Sequence, residues 1–263
     1  MFAESYPRNA SGLILFPRDV QRRAELFAEP QNDHEKHPAK ANLWLVEECV
    51  KHFTEPGQLV MDVMAGTGTI MVAALIGRRV LCLDLNPVYI NLMMRSAEKM
   101  GLGPDKAIII QGDCLTVLPI RVDHIIFSPP YSGAMLGHQG SGKTQNSSIF
   151  FKDERVNKSY TTYASDLTMM NDFMYNQTMP KIYQKCFESL PSGGTLTNII
   201  KDRMQMPIRI ELGLAALHGM VKAGFKFKEW NKWKPPGTQF VAIHKKHGDD
   251  VVEDEHIITV VKP

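Results

Sequence analysis

The sequence predicts an α/β fold in which a mostly parallel sheet is flanked by helices on both faces. Helix-like and strand-like segments alternate from about residue 41 onward, which is typical of a parallel sheet built from successive strand–helix units. A glycine-rich turn, AGTGT at residues 65–69, connects the first strand to the next helix. Polar residues follow the apolar runs, where the carboxyl ends of parallel strands share one edge of the sheet. The 263 residues suffice for one such domain with a substantial core.

The elements follow one another in a regular order up to residue 130. The predicted strands are short apolar runs, and the first five cover residues 58–64, 78–85, 106–113, 123–130 and 195–200. The predicted helices have amphipathic spacing or an early proline, and they cover residues 42–53, 71–77, 88–101, 166–190 and 208–224. We expect an interruption of the fourth helix near Pro180. Two antiparallel strands, 225–233 and 238–246, are expected around the loop KPPG.

Residues 132–163 form an insertion that is rich in Gly, Ser, Thr, Asn and Lys and has little periodicity. A segment of that length without regular structure is uncommon unless it is functional or mobile. We therefore predict a single domain over residues 1–263, with an N-terminal extension at residues 1–40 and a mobile insertion near the active site.

Composition excludes several classes of protein. A hydrophobic content of 44% and a charged content of 22% are ordinary for a globular chain, and no apolar run is long enough for a membrane span. The N-terminus does not have the pattern of a signal peptide, so the expected location is the cytoplasm. The four cysteines, at positions 49, 82, 114 and 186, are too widely spaced to indicate a zinc site or a disulfide framework, so no metal is expected.

The glycine turn and the second strand predict a pocket for an adenosine-type ligand. Backbone N–H groups at the start of a helix face such a ligand, and glycine allows it to approach closely. Asp84 follows the next strand, where its carboxylate can accept hydrogen bonds from ribose hydroxyls. A dinucleotide fingerprint would place a third glycine at Met71, which disfavours a dehydrogenase. A tight strand–helix turn without any ligand is the other alternative.

Asp113 ends the third strand at the same edge of the sheet. Its carboxylate could accept a hydrogen bond from the exocyclic amine of an adenine ring. Taken alone, Asp113 is better explained as a loop aspartate that caps a helix. Its position beside the glycine turn and Asp84 favours the binding role.

Ser128-Pro129-Pro130-Tyr131 follows the fourth strand and predicts a site for an exocyclic amine. The two prolines cannot continue the strand ladder, and they leave outward carbonyl groups beside a serine hydroxyl and an aromatic ring. Hydrogen bonds from an amine to such fixed acceptors favour the pyramidal, nucleophilic form of its nitrogen. Tyr131 could stack on a base swung out of its helix. A strand end without function is the alternative.

GHQGSGKT, at residues 137–144, matches the pattern of a phosphate-binding loop. Such a loop lies between a buried strand and the N-terminus of a helix. Here the preceding strand has already ended at two prolines, and no helical period follows. We therefore disfavour an ATPase or GTPase.

The sequence resembles the amino-group DNA methyltransferases, which use S-adenosylmethionine and carry a [DNS]-P-P-[YFW] motif. SPPY is the form typical of those that make N4-methylcytosine. The resemblance spans most of residues 33–245. It implies a Rossmann-like class I methyltransferase fold with a seven-stranded mixed sheet, S-adenosylmethionine as the cofactor, and Ser128, Pro129, Pro130 and Tyr131 as the catalytic motif.

The resemblance also implies a set of cofactor-binding residues. In the family the glycine turn holds the methionine moiety, one acid contacts the ribose, a second acid contacts the adenine ring, and a His-Pro segment closes over the cofactor. The corresponding residues, with two of their neighbours, are His37, Pro38, Lys40, Asp62, Ala65, Gly66, Thr67, Gly68, Thr69, Asp84, Asn86, Asp113 and Cys114.

No large target-recognition domain separates the cofactor motifs from the catalytic motif, so DNA contacts are expected elsewhere. A formal net charge of +2 does not by itself indicate a nucleic-acid binder. The insertion, the N-terminal arginines 18, 22 and 23, and the segment FKFKEWNKWKPPG are the candidate regions. The candidate side chains are Lys143, Lys152, Arg155, Lys158, Trp230, Lys232, Trp233 and Lys234. For the last four, an amphipathic hairpin with solvated lysines is the alternative.

Duplex DNA with a flipped base is the expected partner. The serine of the motif favours N4 of cytosine, but N6 of adenine and the base amines of RNA stay open. A binding subunit without catalytic activity is the alternative of a different class. A cognate restriction enzyme and a homodimer are left open as protein partners.

Overall fold

A seven-stranded sheet forms the centre of the computed structural model, which describes residues 2–32, 35, 37, 40–130, 165–205, 208–236 and 250–263. The strands in chain order are β1 (Leu59–Asp62), β2 (Arg79–Asp84), β3 (Ala107–Gln111), β4 (His124–Phe127), β5 (Thr195–Ile200), β8 (Lys226–Trp233) and β9 (Glu255–Val261). A separate antiparallel hairpin contains β6 (Arg203–Gln205) and β7 (Ile208–Ile210). The order across the large sheet is β3-β2-β1-β4-β5-β9-β8.

All neighbouring pairs from β3 to β5 are parallel, and β9 runs antiparallel to both β5 and β8. Because β8 is antiparallel to β9, it points in the same direction as β5. One strand of the sheet is therefore reversed, and the predicted seven-stranded mixed sheet is confirmed.

Helices cover both faces of this sheet. They are α1 (Val20–Leu26), α2 (Leu43–Phe53), α3 (Val72–Leu75), α4 (Pro87–Lys99), α5 (Cys114–Val117), α6 (Asp172–Ser189) and α7 (Leu212–Lys222). Buried residues of α2, α3 and α4 form one core with Val60 of β1, while those of α6 and α7 form a second core with the adjacent Met61. Successive side chains of a strand point to opposite faces, so β1 contributes to both cores.

The N-terminal extension is part of the folded domain. Ile14 is fully buried and bridges Trp233 at the β8 edge, with Ile14 N–H donating to the Lys232 carbonyl at 3.0 Å. Asn42 caps α2 by accepting from the N–H groups of Trp44 and Leu45, and its amide donates to the Pro17 carbonyl at 2.9 Å. The extension therefore covers an exposed sheet edge, which would otherwise present unpaired backbone groups.

Two sequence-based expectations differ from the structure, and one strand pairing was not foreseen. Helix α6 continues through Pro180 without interruption, because its apolar face is held in the core by residues such as Met179 and Ile182 and this packing outweighs one missing hydrogen bond. Residues 208–210 form β7 rather than the first turn of a helix. The observed partner of β8 is β9, which the sequence analysis missed, and the predicted strand 238–246 lies outside the described residues.

None of the helices in the described ranges has the length and apolar character needed to cross a membrane.

Candidate active site

Strand order brings the glycine turn and the Ser-Pro-Pro segment to one edge of the sheet. Strand β1 lies between β2 and β4 and is parallel to both. The segments that follow these three strands therefore meet at their common carboxyl edge, where open α/β sheets bind ligands. The turn follows β1, Asp84 ends β2 and Ser128 follows β4.

The glycine turn needs glycine at two positions. Gly66 and Gly68 have φ angles of 52° and 79°, which side chains with a Cβ rarely adopt. A Cβ on Gly68 would lie 2.6 Å from Met71 Cε and 2.8 Å from Met93 Cγ. A Cβ on Gly66 would lie 3.1 Å from His37 Nε2. The turn is therefore a narrow backbone cradle bordered by His37, and the buried residues Ala65, Thr67 and Thr69 complete it.

Asp84 links the turn to the start of α4. Its Oδ2 accepts a hydrogen bond from Gly66 N–H at 2.7 Å, and its Oδ1 accepts one from Asn86 N–H at 2.8 Å. Asn86 in turn caps α4 by accepting from Val88 N–H at 2.9 Å. Burial raises the pKa of Asp84 to about 6 despite these hydrogen bonds. The carboxylate therefore has a fixed orientation at the end of β2.

Asp62 differs from Asp84 in its protonation. Burial is the main cause that raises the pKa of Asp62 to about 8, and the neighbouring charge of Asp84 adds to the shift. Its Oδ1 accepts from Met64 N–H at 2.9 Å. Asp62 is thus uncharged at neutral pH and supports the chain where it leaves β1.

Asp113 and Cys114 lie beside this group. Gly112 N–H donates to the Asp84 carbonyl at 2.9 Å, which joins the ends of β2 and β3. Asp113 caps α5 by accepting from Leu115 N–H at 2.9 Å, so the capping explanation of this residue applies. Cys114 is buried, and burial raises the pKa of its thiol to about 12.

A cleft of about 460 Å³ lies between α1 and α4 and reaches Thr67 of the glycine turn. His37, Lys40 and Thr67 are among its lining residues. The ring of His37 lies 5.0 Å from that of Tyr89 in α4, at an angle of 51°. Desolvation and the nearby Arg23 lower the pKa of Lys40. The structure thus places His37 and Lys40 beside the turn, while Pro38 lies outside the described residues.

Arg23 connects the extension to the glycine turn. Its guanidinium donates to Asp19 at 2.8 Å, to the Ala41 carbonyl at 2.7 Å and to Thr69 Oγ1 at 3.3 Å. Arg22 pairs with Glu47 and lies 4.0 Å from the centre of the Trp44 ring. Both arginines make contacts within the protein, so the expectation that they contact DNA is not supported by their geometry.

The Ser-Pro-Pro segment continues the alternation of β4. Phe127 and Pro129 are buried, while Ser128 between them is exposed. The serine hydroxyl therefore faces outward at the sheet edge, as an amine acceptor would need to. Tyr131 lies outside the described residues, as do Lys143, Lys152, Arg155 and Lys158 and the lysine loop 137–144.

The four candidate DNA contacts in residues 230–234 have other partners. Trp233 is only 4% exposed, packs against Phe16 and donates its indole N–H to Glu255 at 2.7 Å. Stacking of Trp233 on nucleic acid would require the indole ring to leave these contacts. Trp230 donates its indole N–H to His256 Nδ1 at 3.1 Å.

The two lysines of that segment pair with acidic residues that directly precede β9. Lys232 lies 2.7 Å from Asp254, and Lys234 lies 2.9 Å from Glu253. Their positive charges are compensated locally, which the sequence could not indicate because about twenty residues separate the partners along the chain.

Sequence analysis missed two buried residues at this edge. Asp166, which is 4% exposed, accepts from Thr168 N–H at 2.9 Å, and its charge raises the pKa of Asp84. Asn198 in β5 is fully buried. A polar residue in the apolar run TLTNII was the one available signal for Asn198, whereas nothing in the sequence pointed to Asp166.

The sheet order and the site at its carboxyl edge define a Rossmann-like methyltransferase fold. TrmN from Thermus thermophilus matches with a TM-score of 0.51 and 14% identity, over 88% of this chain and 52% of that one. The chain thus spans about half the length of TrmN. Precorrin-6y C5,15-methyltransferase from Geobacter metallireducens matches with a TM-score of 0.51 and 12% identity, over 93% and 96%. A SAM-dependent methyltransferase from Methanosarcina mazei matches with 0.53 and 11%, over 81% and 96%.

A sequence-family match in the N-terminal part of the chain adds to these structural similarities. Residues 18–95 match the sequence model of a family described as DNA methylase. The matched range includes the glycine turn and Asp84 and ends before Ser128. This match supports the resemblance to amino-group DNA methyltransferases that the sequence motifs indicate.

The fold and the family imply S-adenosylmethionine as the cofactor, and the residues present fit it. A Cβ on Gly66 would crowd the His37 ring, so the glycine turn allows close approach to its backbone, and Asp84 holds a carboxylate suited to ribose hydroxyls at the adjacent strand end.

Proposed function

We propose that the protein transfers a methyl group from S-adenosylmethionine to the exocyclic amine of a DNA base, with N4 of cytosine as the favoured target. The observation that carries the proposal is the parallel pairing of β1 with β4. It makes the glycine turn and Ser128-Pro129-Pro130 neighbours at one sheet edge, so a methyl donor bound at the first would lie next to an amine bound at the second.

Binding of the cofactor depends on the chain's own hydrogen-bonding groups. Asp84 would accept from the ribose hydroxyls, and Asp113 would accept from the adenine amine. The turn from Ala65 to Thr69 would contact the methionine moiety, with His37 and Lys40 at its rim. When bound, the cofactor supplies a methyl group activated by a positively charged sulfur.

The Ser-Pro-Pro segment would bind and orient the amine. One N–H donates to the Ser128 hydroxyl oxygen and the other to the Pro129 carbonyl, so the nitrogen lone pair points away from both. A bond then forms between this nitrogen and the methyl carbon while the bond from sulfur to that carbon breaks. Serine is a weak base, so the amine loses its proton after the transfer, to water.

The target base must leave the duplex to reach this edge. Unstacking costs a few kcal/mol, which contacts from basic side chains to phosphates would offset. Tyr131 is the proposed stacking partner of the flipped base, and Lys143, Lys152, Arg155 and Lys158 are the proposed phosphate contacts. These assignments rest on sequence alone.

The test uses purified protein, S-adenosylmethionine with a labelled methyl group and unmodified duplex DNA, with tRNA as a parallel substrate. Nuclease digestion and mass spectrometry of the nucleosides identify the product. We expect N4-methylcytosine from DNA. Ser128→Ala should lower kcat by about tenfold to a hundredfold with little change in cofactor affinity. Ser11→Ala, which changes an exposed serine of the N-terminal segment, is the matched control.

The other outcomes are distinct. N6-methyladenine in DNA would retain the mechanism and change the base. Label in tRNA alone would overturn DNA as the substrate. No label in either nucleic acid would overturn the transfer itself and favour a binding subunit.

A further inference from the structure

Asn198 is the most unusual buried polar residue at the catalytic edge. Its side chain is 0% exposed, and within the described part of the chain neither Oδ1 nor Nδ2 has a hydrogen-bond partner. The other polar side chains of β5 are satisfied: Thr197 bonds to Thr259 at 2.8 Å, and Thr195 bonds to His124 at 2.7 Å. Burying an amide without hydrogen bonds destabilises a fold, so this arrangement calls for a functional explanation.

The register of the sheet places Asn198 next to the strand end that leads into Ser128-Pro129-Pro130, called here the catalytic segment. Its partner in β4 is Phe127, the last residue of that strand and the one before Ser128. Its partner on the other side is Ile258 of β9. The amide therefore lies in the row of the sheet where β4 ends.

The core to which its neighbours in β5 belong shows on which face of the sheet Asn198 lies. Leu196 and Ile200, two residues before and after Asn198, belong to the same core as Phe127. Because alternate residues of a strand share a face, Asn198 lies on that face with Phe127. Pro129, two residues after Phe127, is buried as well. Asn198 thus shares its face with Phe127 and Pro129, one row before Ser128-Pro129-Pro130, on the side opposite to the exposed Ser128.

The hydrogen-bonding groups of the two parts are complementary. Pro129 and Pro130 have no backbone N–H, so the main chain there offers mostly carbonyl acceptors. The amide of Asn198 carries two N–H donors. A donor buried next to a segment rich in acceptors is suited to hold that segment in a chosen orientation.

We propose that Asn198 is a positioning residue for the proposed amine transfer. When the target base occupies the site, its Nδ2 donates to a main-chain carbonyl of residues 128–130 and fixes the acceptors that orient the amine. This inference rests on the proposed function. It adds a residue of β5 that acts through the catalytic segment without touching the methyl donor.

Asn198→Leu tests the inference because leucine has the same branching and no polar atoms. Removing an unsatisfied buried amide should raise the Tm, by about 3 °C. The same change should lower kcat by about tenfold or more, while the KM for S-adenosylmethionine stays within about twofold. A gain in stability with a loss of kcat is not expected from a residue that only fills the core.

Thr197→Val is the matched control. It changes the next residue of β5, which is equally buried and bonds to Thr259 on the opposite face. We expect this variant to lower the Tm, because it leaves the Thr259 hydroxyl without its partner, and to keep kcat unchanged.

Asn198→Asp provides a second test that does not depend on shape. A buried carboxyl group has a raised pKa, so its protonated form carries an O–H donor at low pH and loses it at high pH. The kcat of this variant relative to wild type should therefore increase as the pH falls from about 8.5 to about 6.

Unchanged kcat in Asn198→Leu, with or without a rise in Tm, would overturn the inference and leave Asn198 as a buried amide without a role in transfer. The donor role would be overturned if Asn198→Asp has a low kcat and its kcat relative to wild type does not change with pH. An inactive wild type would refute the proposed function and the inference together, whereas an active wild type with active variants refutes the inference alone.

Discussion

Asp84 combines a structural role with the proposed cofactor-binding role in one carboxyl group. Each of its oxygens already accepts a backbone N–H, from Gly66 and from Asn86, which fixes the carboxylate between the turn and α4. Each oxygen has a second lone pair that a ribose hydroxyl can use. Burial nevertheless raises the pKa of Asp84 to about 6, so the form that binds a ribose best is not fully populated under mildly acidic conditions.

We predict that the affinity for S-adenosylmethionine falls as the pH is lowered through about 6. The ionised carboxylate is the better acceptor of ribose hydroxyls, and it is present above the pKa of Asp84 and lost below it. Asp62 does not contribute to this change, because its pKa is about 8 and it stays protonated throughout the acidic range. Titration calorimetry of the wild type between about pH 5 and 7.5 measures the effect.

Two variants assign the effect to a residue. Asp84→Asn should bind about tenfold or more weakly at neutral pH, and its affinity should no longer change with pH. His37 borders the same turn, so His37→Gln is the control and should keep the pH dependence. Loss of the dependence in His37→Gln, or its persistence in Asp84→Asn, would refute the assignment to Asp84.

The glycine turn is the element whose geometry was most predictable from sequence. The pattern AGTGT after an apolar strand predicted a close-approach turn, and the positive φ angles of Gly66 and Gly68 explain why glycine occurs there. The helix that follows was less predictable. A short 3₁₀ turn at Thr69–Met71 precedes α3, which has only four residues, since buried packing against α2 and β2 rather than helical propensity determines its length.

We predict that Gly68→Ala destabilises the protein more than Gly57→Ala does. Both glycines have similar positive φ angles, 79° and 88°, so alanine adds backbone strain of about 1–2 kcal/mol at either position. A Cβ at Gly68 would also overlap Met71 and Met93, whereas nothing lies within 4 Å of one at Gly57. The overlap should add about 1–3 kcal/mol to the loss in unfolding free energy.

Denaturant unfolding of the two variants measures this difference, and cofactor affinity provides a second readout. Gly57→Ala should keep wild-type affinity for S-adenosylmethionine, because Gly57 lies before β1, at the opposite end of that strand from the turn. Gly68→Ala should weaken it. Equal destabilisation by both substitutions would mean that Met71 and Met93 move aside at little cost.

For the whole molecule, the sequence predicts which residues reach the catalytic edge better than it predicts what surrounds them. Gly66, Asp84 and Ser128 each lie at or just after the end of an apolar run that is recognisable in the sequence. If the strands formed by these runs are parallel, their carboxyl ends bring the three residues to one edge of the sheet. Contacts between distant segments have no such local signal. The pairing of β8 with β9, the bridge from Ile14 to Trp233 and the burial of Asn198 all depend on the assembled sheet.

The lack of a local sequence signal for contacts between distant segments matters most for the distribution of charge. Lys232 lies near the carboxyl end of β8 and Lys234 directly follows it, at the edge of the sheet that carries the candidate site, but they pair with Asp254 and Glu253. Lys226 and Lys228, near the amino end of the same strand, are exposed and have no ion pair among the described residues. Two lysine pairs of equal charge therefore differ in position and in whether their charge is compensated.

We predict that the double variant Lys232→Ala/Lys234→Ala changes the salt dependence of duplex DNA binding no more than Lys226→Ala/Lys228→Ala does. A lysine that contacts a phosphate contributes about 0.9 to the slope of log Kobs against log salt concentration. Lysines neutralised by neighbouring carboxylates release few counterions, and Lys226 and Lys228 lie at the end of β8 away from the candidate site, so each double variant should change the slope by less than about one. Fluorescence anisotropy with labelled DNA across a range of salt concentrations measures both slopes. A slope lowered by nearly two more in the first variant than in the second would refute this prediction. It would mean that Lys232 and Lys234 exchange Asp254 and Glu253 for phosphates when DNA binds.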